Sequence, residues 1–217
     1  MDMQWNKAGG HVPSILIVMS RVIVGIDEAG RGPLAGPVAV GVGMVPARFD
    51  MTLLKGVRDS KQMSELGREI WFEKLRILEA KGLRYTVQFS SAKYIDTHGI
   101  APAIRSAVAR GLRLLEAPPT HAEVLLDGSL RAPKHFMNQT TIIRGDQTEP
   151  LISLASVAAK VKRDRLMRRL ALKHPVYGFD IHKGYGTAHH RKALQEYGLC
   201  DIHRRSFCHL VEAQKEE

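Results

Sequence analysis

The alternation of apolar and polar positions along the chain predicts a mixture of strands and helices. Short β-branched or apolar runs predict five strands, at residues 22–26, 37–45, 83–89, 124–126 and 140–143. The third run alternates residue by residue, which is typical of a strand with one buried face.

Apolar residues at helical spacing predict the helices between and after these strands. One helix runs from Ser64, which can cap it, to about Lys81, and a second covers residues 101–116. A third covers residues 151–169, and a short helix lies near residues 189–197. The first strands have short or hairpin-capable links, whereas later strands are separated by a helix. This order predicts a mixed sheet with helices packed on it, an α/β fold.

Composition and charge narrow the class of protein. The chain has 217 residues, with 44% hydrophobic and 25% charged residues, which suits one domain with an ordinary core. Lys and Arg total 32 against 22 acids, a formal charge of +10. This excess favours a polyanionic partner, nucleic acid first.

The ends of the chain suggest how the protein is organised. The longest apolar run near the start, residues 12–19, is short and contains Pro13, so no membrane span is expected. Neither a signal-peptide cleavage site nor a disulfide framework is evident, which predicts a cytoplasmic protein. We expect a leader over residues 1–20, one domain over 21–210 and a tail over 211–217.

Four acidic residues come just after three of the predicted strands. Asp27 and Glu28 follow the first strand, Asp127 follows the fourth, and Asp146 follows the fifth after two residues. If these strands are neighbours, the acids meet at one edge of the sheet. Taken singly, each acid is also a common turn former.

Such a cluster of carboxylates predicts a metal site. Clustered carboxylates repel unless protons or cations neutralise them. Ligation by oxygen alone favours Mg²⁺ or Mn²⁺ over zinc. Two such ions, about 3.5–4 Å apart, would clamp a phosphodiester for in-line attack by water.

The turn Gly30-Arg31-Gly32 follows the acidic pair and has two interpretations. A dinucleotide-binding fingerprint is disfavoured because Gly36 falls one residue late, Pro33 disturbs the helix start, and the two acids would repel a pyrophosphate. The favoured interpretation is that the glycines let a ligand approach the backbone closely, with Arg31 beside a phosphate.

Histidines and cysteines near the C-terminus raise the alternative of a zinc site. Their spacings match no standard zinc finger, so we interpret the cysteines as ordinary thiols. The residues concerned are His182, His189, His190, His203, His209, Cys200 and Cys208.

Seven segments of the chain resemble a known family. They are GIDEAGRGPLAGPVAVG, RDSKQMS, LLDGSL, IIRGDQ, ISLASVAAKVKRD, HKGYGT and IHRRSF, and in this order they resemble type 2 ribonuclease H, the bacterial ribonuclease HII, over about residues 20–208. The resemblance implies a ribonuclease-H-like fold: a five-stranded mixed sheet flanked by helices, with a helical C-terminal portion. It also implies an endonuclease for the RNA strand of RNA–DNA hybrids. Such an enzyme further incises duplex DNA 5′ to a single ribonucleotide, leaving 3′-hydroxyl and 5′-phosphate ends.

The resemblance also implies roles for individual residues. The family's four acids match Asp27, Glu28, Asp127 and Asp146. The family's Gly-Arg-Gly turn, which contacts the ribose 2′-hydroxyl, matches Gly30, Arg31 and Gly32. Tyr185 matches a tyrosine that stacks on the sugar next to the ribonucleotide, and Lys61 matches a phosphate contact. From its place on the basic third helix, Lys160 is a further candidate for phosphate contact, the alternative being a solvated helix face.

Two other functions remain to be weighed. The sibling enzyme ribonuclease HIII normally carries an additional N-terminal domain, for which the stretch before Val22 is too short, and it usually has lysine where Arg31 stands. A non-catalytic nucleic-acid-binding protein of the same fold would require the loss of at least one acid, and none is lost. We therefore expect a ribonuclease, and we also expect it to be a monomer.

Overall fold

The fold is built on a mixed five-stranded sheet, in a computed structural model that describes residues 21–57 and 59–212. The predicted leader and residues 213–217 of the predicted tail lie outside the described residues. The strands are β1 (Val22–Ala29), β2 (Val38–Pro46), β3 (Arg84–Ser90), β4 (Ala122–Asp127) and β5 (Gln139–Ile142). Their order across the sheet is β3-β2-β1-β4-β5. The first three strands pair antiparallel, whereas β1, β4 and β5 pair parallel. All five predicted strands are confirmed, with ends shifted by a few residues.

Helices of very different length surround the sheet. They are α1 (Glu65–Glu79), α2 (Ala92–His98), α3 (Ile100–Leu114), α4 (Gly145–Thr148), α5 (Pro150–Lys173), α6 (Phe179–His182), α7 (Ala188–Tyr197) and α8 (Arg205–Glu212). Single 3₁₀ turns cover Met51–Leu54 and Pro175–Tyr177. The predicted helices correspond to α1, α3, α5 and α7. The other four are at most 8 residues long and were missed, because so few turns give little periodic signal. None of the described helices combines the length and apolarity needed to cross a membrane.

The long helix α5 lies directly on the backbone of the central strands. A Cβ atom at Gly25 of β1 would lie 2.5 Å from the carbonyl carbon of Leu151, and one at Gly41 of β2 would lie 2.1 Å from the carbonyl oxygen of Ala155. Only glycine permits so close an approach. The contact brings the N-terminal half of α5 against the end of β1, where the acidic pair lies.

Three hydrophobic clusters hold the layers together. The first lies between the sheet and α3, and the second joins α1 to α5, with Leu75 and Val157 among its fully buried members. The third belongs to the C-terminal portion and packs Phe179 and Met167 against Ala35, just after β1. The C-terminal helices are thereby attached beside the turn that follows the acidic pair.

Candidate active site

The acidic pair lies inside β1 rather than after it, which corrects the sequence prediction. The ladder to β2 continues until Ala29 pairs with Ala39, so the backbone stays extended through both acids. Successive residues of a strand point to opposite faces. Asp27 therefore lies on the face covered by α5, where it is hydrogen-bonded with Ser156, and Glu28 lies on the other face.

Parallel pairing brings the other two acids to the same edge. Ile26 pairs with Leu126 in the parallel ladder, so Asp27 and Asp127 come next on adjacent strands. Asp127 is the last residue of β4, and Asp146 lies in α4 just after β5. The backbone N–H of Asp146 donates to Oδ1 of Asp127 at 3.3 Å. Three of the four acids predicted to converge, Asp27, Asp127 and Asp146, lie together at this edge.

Three of these carboxylates can hold a divalent metal ion. Oxygen atoms of Asp27, Asp127 and Asp146 all lie within 4.8 Å of one another. Asp27 and Asp146 are buried and Asp127 is half-buried. The group contains only oxygen donors, the ligands that Mg²⁺ and Mn²⁺ prefer. Glu28 is outside this group, and its Oε1 accepts a hydrogen bond from Nη1 of Arg31 at 3.3 Å.

The electrostatics of the cluster favour a bound cation. Burial, with the neighbouring charge of Glu28, raises the pKa of Asp27 well above its ordinary value. Burial, reinforced by Asp127, also raises the pKa of Asp146. Burial raises the pKa of Glu28 as well, although Arg31 opposes it. A cation among these groups would relieve both the desolvation and the mutual repulsion of the ionised acids.

A further acid and a lysine extend the cluster. Asp59, to which the sequence analysis gave no role, is buried beside Asp146 and accepts a hydrogen bond from the backbone N–H of Lys61 at 2.8 Å. The Nζ atom of Lys61 lies 3.7 Å from Oδ2 of Asp146. Partial burial lowers the pKa of Lys61, but attraction by the carboxylates, Asp146 first, outweighs it and leaves the pKa raised. Asp59 lies in the RDSKQMS segment already singled out for Lys61, but a loop acid has no periodic signal, and its contact with Asp146 is what places it in the cluster.

The turn Gly30-Arg31-Gly32 leaves β1 directly after the acids. Nη1 of Arg31 donates to Glu28 and to Oγ of Ser129, each at 3.3 Å. A Cβ atom at Gly32 would meet no heavy atom within 4 Å, so the space beside this residue is open. The predicted contact for a 2′-hydroxyl thus lies beside the candidate metal ligands.

Tyr185 lies on the loop between α6 and α7, next to the chain that follows this turn. Its side chain is 45% exposed, and its ring centroid is 6.0 Å from the guanidinium carbon of Arg163. The carbonyl of Gly184 accepts a hydrogen bond from the backbone N–H of Leu34 at 2.9 Å. The structure therefore brings the tyrosine loop and the Gly-Arg-Gly segment together.

Two buried histidines, His190 and His203, hold the tyrosine loop through a chain of hydrogen bonds. Nδ1 of His203 accepts from the backbone N–H of Cys200 at 2.9 Å, so its Nε2 donates to Nε2 of His190 at 3.0 Å. His190 in turn donates from Nδ1 to the carbonyl of Tyr185 at 3.0 Å. Burial lowers the pKa of each histidine to about 4. Both rings are therefore neutral at neutral pH, and hydrogen bonds within the protein occupy every ring nitrogen of the pair.

A second group of possible metal ligands lies in the C-terminal portion. Ligand atoms of His174, Cys200 and Asp201 lie within 4.8 Å of one another. Nε2 of His174 is 3.3 Å from the carboxylate of the exposed Asp201, a contact that needs no metal. Burial raises the pKa of the Cys200 thiol, which disfavours the thiolate that metal binding requires.

The basic end of α5 is largely engaged within the protein. Nζ of Lys160 donates to Oδ1 of Asp164 at 2.8 Å. Arg165 and Arg168 form ion pairs with acids of α1, and Arg163 is fully buried. The predicted phosphate contact of Lys160 stays a prediction, and it would require this lysine to exchange its carboxylate partner for a phosphate.

Fold and site together define a class of protein. A five-stranded mixed sheet with carboxylates on adjacent parallel strands is the arrangement expected of a metal-dependent nuclease with a ribonuclease-H-like fold.

Comparison with known proteins gives the family within this class. The family model for ribonuclease HII matches residues 24–210. Ribonuclease HII of Burkholderia thailandensis is 44% identical over 193 residues, 88% of this chain and 86% of that protein. A chain in the PCNA:RNase HII complex from Archaeoglobus fulgidus has a TM-score of 0.69 at 26% identity, covering 85% of this chain and 94% of that one. Ribonuclease H2 from Pyrococcus horikoshii OT3 has a TM-score of 0.67 at 25% identity, covering 90% and 99%.

The chain belongs to the ribonuclease HII family. It is a ribonuclease H, a hydrolase that cleaves the RNA strand of RNA–DNA hybrids. The family and the fold predicted from the seven segments are confirmed, and the two alternatives, ribonuclease HIII and a non-catalytic binding protein, are not supported.

Proposed function

We propose that this enzyme also incises duplex DNA 5′ to a single embedded ribonucleotide, leaving 3′-hydroxyl and 5′-phosphate ends. The observation that carries the proposal is the continuity of one short segment. Asp27 and Glu28 are among the last residues of β1, which ends at Ala29, and Gly30 to Gly32 form the next turn, so a 2′-hydroxyl bound at the turn would lie beside the carboxylates. A site that recognises a single 2′-hydroxyl can act on a duplex that contains only one ribonucleotide.

We propose that Asp27, Glu28, Asp127 and Asp146 hold two divalent ions, Mg²⁺ or Mn²⁺. Support comes from the all-oxygen group of three aspartates and from the raised pKa of Asp27, which burial and Glu28 cause. When bound, the ions would activate a water molecule and stabilise the leaving oxygen. The protein's own part is to orient the carboxylates through the sheet and to exclude bulk water from Asp27.

The neighbouring residues would bind the nucleic acid. Gly32 has open space where a Cβ would lie, so nothing within the protein requires glycine there, whereas close approach of a ribose would. Lys61, 78% exposed beside Asp146, suits a phosphate next to the cleaved bond. Tyr185 offers a half-exposed ring for stacking on the adjoining sugar. Lys160 is a more distant phosphate contact, in competition with Asp164.

One assay tests this function directly. The purified chain is mixed with a DNA duplex that carries one ribonucleotide, with Mg²⁺ or Mn²⁺ in one arm and EDTA in the other. We expect a single incision 5′ to the ribonucleotide, dependent on the metal, with ends that a polymerase can extend from the 3′-hydroxyl. The same duplex without the ribonucleotide is the control. Cleavage of RNA–DNA hybrids with no incision at the single ribonucleotide would refute the proposal while leaving the family activity intact.

We further infer that the enzyme acts as a monomer in the cytoplasm. Cys200 and Cys208 are thiols rather than a disulfide, which is consistent with a reducing compartment. Light scattering of the purified chain measures the mass directly, and a dimer mass would overturn the first part of this inference.

A further inference from the structure

Two arginines lie buried beneath the turn that follows the acids. Arg163 comes from α5 and Arg204 from the residue before α8, and their side chains are 1% and 0% exposed. Within the described part of the chain, neither guanidinium forms an ion pair with a carboxylate; both donate to backbone carbonyls instead. Buried charges without an acidic partner are costly, so their presence here calls for a reason beyond packing.

Arg204 holds the turn in place by hydrogen bonds to its backbone. Its guanidinium donates to the carbonyls of Gly30 at 2.7 Å, Arg31 at 2.8 Å and Gly36 at 2.9 Å. Three bonds to one planar group fix the orientation of three peptide units. Lysine has a single donor centre on a flexible stem and cannot reproduce this planar fork.

The direction of these carbonyls decides where the turn's N–H groups point. In a trans peptide the carbonyl of one residue and the N–H of the next point in opposite directions. With the carbonyls of Gly30 and Arg31 drawn inward to Arg204, the N–H groups of Arg31 and Gly32 point away from it. Neither of these N–H groups donates a hydrogen bond to another described residue. These two N–H groups, both pointing away from Arg204, form a pair of hydrogen-bond donors that suits the oxygen of a ribose hydroxyl.

Arg163 joins the turn to the tyrosine loop. Its guanidinium donates to the carbonyls of Pro37 at 2.9 Å, Ala35 at 3.2 Å and Lys183 at 3.0 Å. Lys183 lies two residues before Tyr185 on the loop. A Cβ atom at Gly30 would lie 1.9 Å from Nε of Arg163, so the turn also packs directly on this side chain. One guanidinium therefore sets the spacing between the two elements that would contact the sugar.

We propose that Arg163 and Arg204 are positioning residues for ribonucleotide recognition, which aim the turn's N–H groups and fix their distance from Tyr185. This inference rests on the proposed function, the recognition of a single embedded ribonucleotide. Burial, with the nearby charge of Arg163, lowers the pKa of Arg204 to about 9, yet leaves it charged at neutral pH. Arg204 therefore keeps all its donors at working pH.

Lysine substitutions test this without changing the charge. Arg204→Lys and Arg163→Lys are compared with the wild type for affinity, in EDTA, toward two duplexes that differ only in one 2′-hydroxyl. We expect both variants to bind the all-DNA duplex as tightly as the wild type does. The ratio of their affinities for the two duplexes should fall roughly tenfold, which is the effect of one misplaced hydrogen bond. Arg110→Lys is the matched control, because Arg110 also donates to a backbone carbonyl, that of Phe89, but at the far edge of the sheet.

Thermal unfolding of each variant separates folding from recognition. If Arg204→Lys does not fold, Arg163→Lys, which alters different carbonyl contacts, decides the question. An unchanged preference in a folded variant overturns the proposal, as does an equal loss of affinity for both duplexes. A wild type with no preference for the ribonucleotide would instead contradict the proposed function.

Discussion

Two neighbouring charged regions of the site are stabilised in opposite ways. At the sheet edge, Asp27, Asp127 and Asp146 crowd like charges together, and burial raises the pKa of the first and third. Beneath the following turn, Arg163 and Arg204 are equally buried but donate to six backbone carbonyls. Lys61 beside Asp146 and Arg31 beside Glu28 offset only part of the charge at the carboxylate edge, where the pKa values stay raised, whereas the arginine region is satisfied by hydrogen bonds within the protein.

From this difference we expect the acids to carry the chemistry and the turn to carry the recognition of the substrate. If the carboxylate cluster holds the proposed cations, removal of one ligand should weaken their binding and the cleavage that depends on them. The turn is held by hydrogen bonds from Arg204 within the protein, so we expect its shape not to depend on a bound cation. We therefore expect acid substitutions to abolish cleavage without loss of stability, and changes around the turn to alter the choice of substrate.

The largest effect should follow from Asp127→Asn. Asparagine keeps the oxygen that accepts from the backbone N–H of Asp146 but removes a negative charge from the cluster. We expect cleavage to fall by roughly a thousandfold or more, about 4 kcal/mol in the barrier. Duplex binding should remain nearly unchanged. In EDTA, the variant should be as stable as the wild type or more so, because one repulsion is gone.

Glu123→Gln is the control for this variant, since Glu123 is an exposed acid on the same strand. It should retain full activity. Single-turnover cleavage and thermal unfolding, each with Mg²⁺ and with EDTA, provide the measurements. Wild-type rates in Asp127→Asn would remove this residue from the mechanism, and a marked loss of stability in EDTA would contradict the contrast between the two regions.

A smaller and more selective effect should follow from Tyr185→Ala. Loss of a stacking ring costs about 1–3 kcal/mol in nucleic-acid complexes. We expect cleavage at a single ribonucleotide to fall roughly tenfold, and cleavage of long hybrids to fall less, because a hybrid offers many equivalent positions. Tyr185→Phe should retain most of the activity, since the ring itself remains.

Tyr197→Ala serves as the comparison, because Tyr197 is similarly exposed but lies at the end of α7. The measurement is kcat/KM on the two substrates side by side. Equal losses on both substrates for Tyr185→Ala would exclude the stacking role.

Much of the fold could be predicted because its main elements carry strong local signals. The alternating run of β3 and the long apolar face of α3 follow from residue pattern alone. The convergence of the acids followed from a rule about strand ends, even though Asp27 and Glu28 prove to lie within β1. The strand continues there because β2 supplies pairing partners, which a single run of sequence cannot reveal.

The part of the site to which we assign recognition could not be predicted in the same way. Arg163 belongs to a run of basic residues that suggested a surface, and its partner Pro37 is 126 residues away. Arg204 reaches Gly30 across 174 residues. Their partners are backbone carbonyls, which every residue has, so residue type gives no signal. Only the packing of the C-terminal portion beside the turn makes these contacts.

The smallest expected effect concerns the histidines behind the tyrosine loop, and it appears as a dependence of stability on pH. Burial lowers the pKa of His190 and His203 from 6.5 to about 4 in the folded state. Between these values the unfolded chain binds more protons, so stability falls as pH drops from about 6.5 toward 4. At pH 6 the loss should be roughly 1 kcal/mol for each histidine.

Urea unfolding from pH 7.5 to 5 measures this slope. His203→Gln should flatten it whatever its effect on stability at pH 7.5, because one titrating group is gone, whereas the exposed His135→Gln should leave it unchanged. The turn should respond less than the loop, since Arg204, whose pKa is lowered only to about 9, holds its proton throughout this range. An unchanged slope in His203→Gln would mean that His203 is not held neutral by its burial in the folded state.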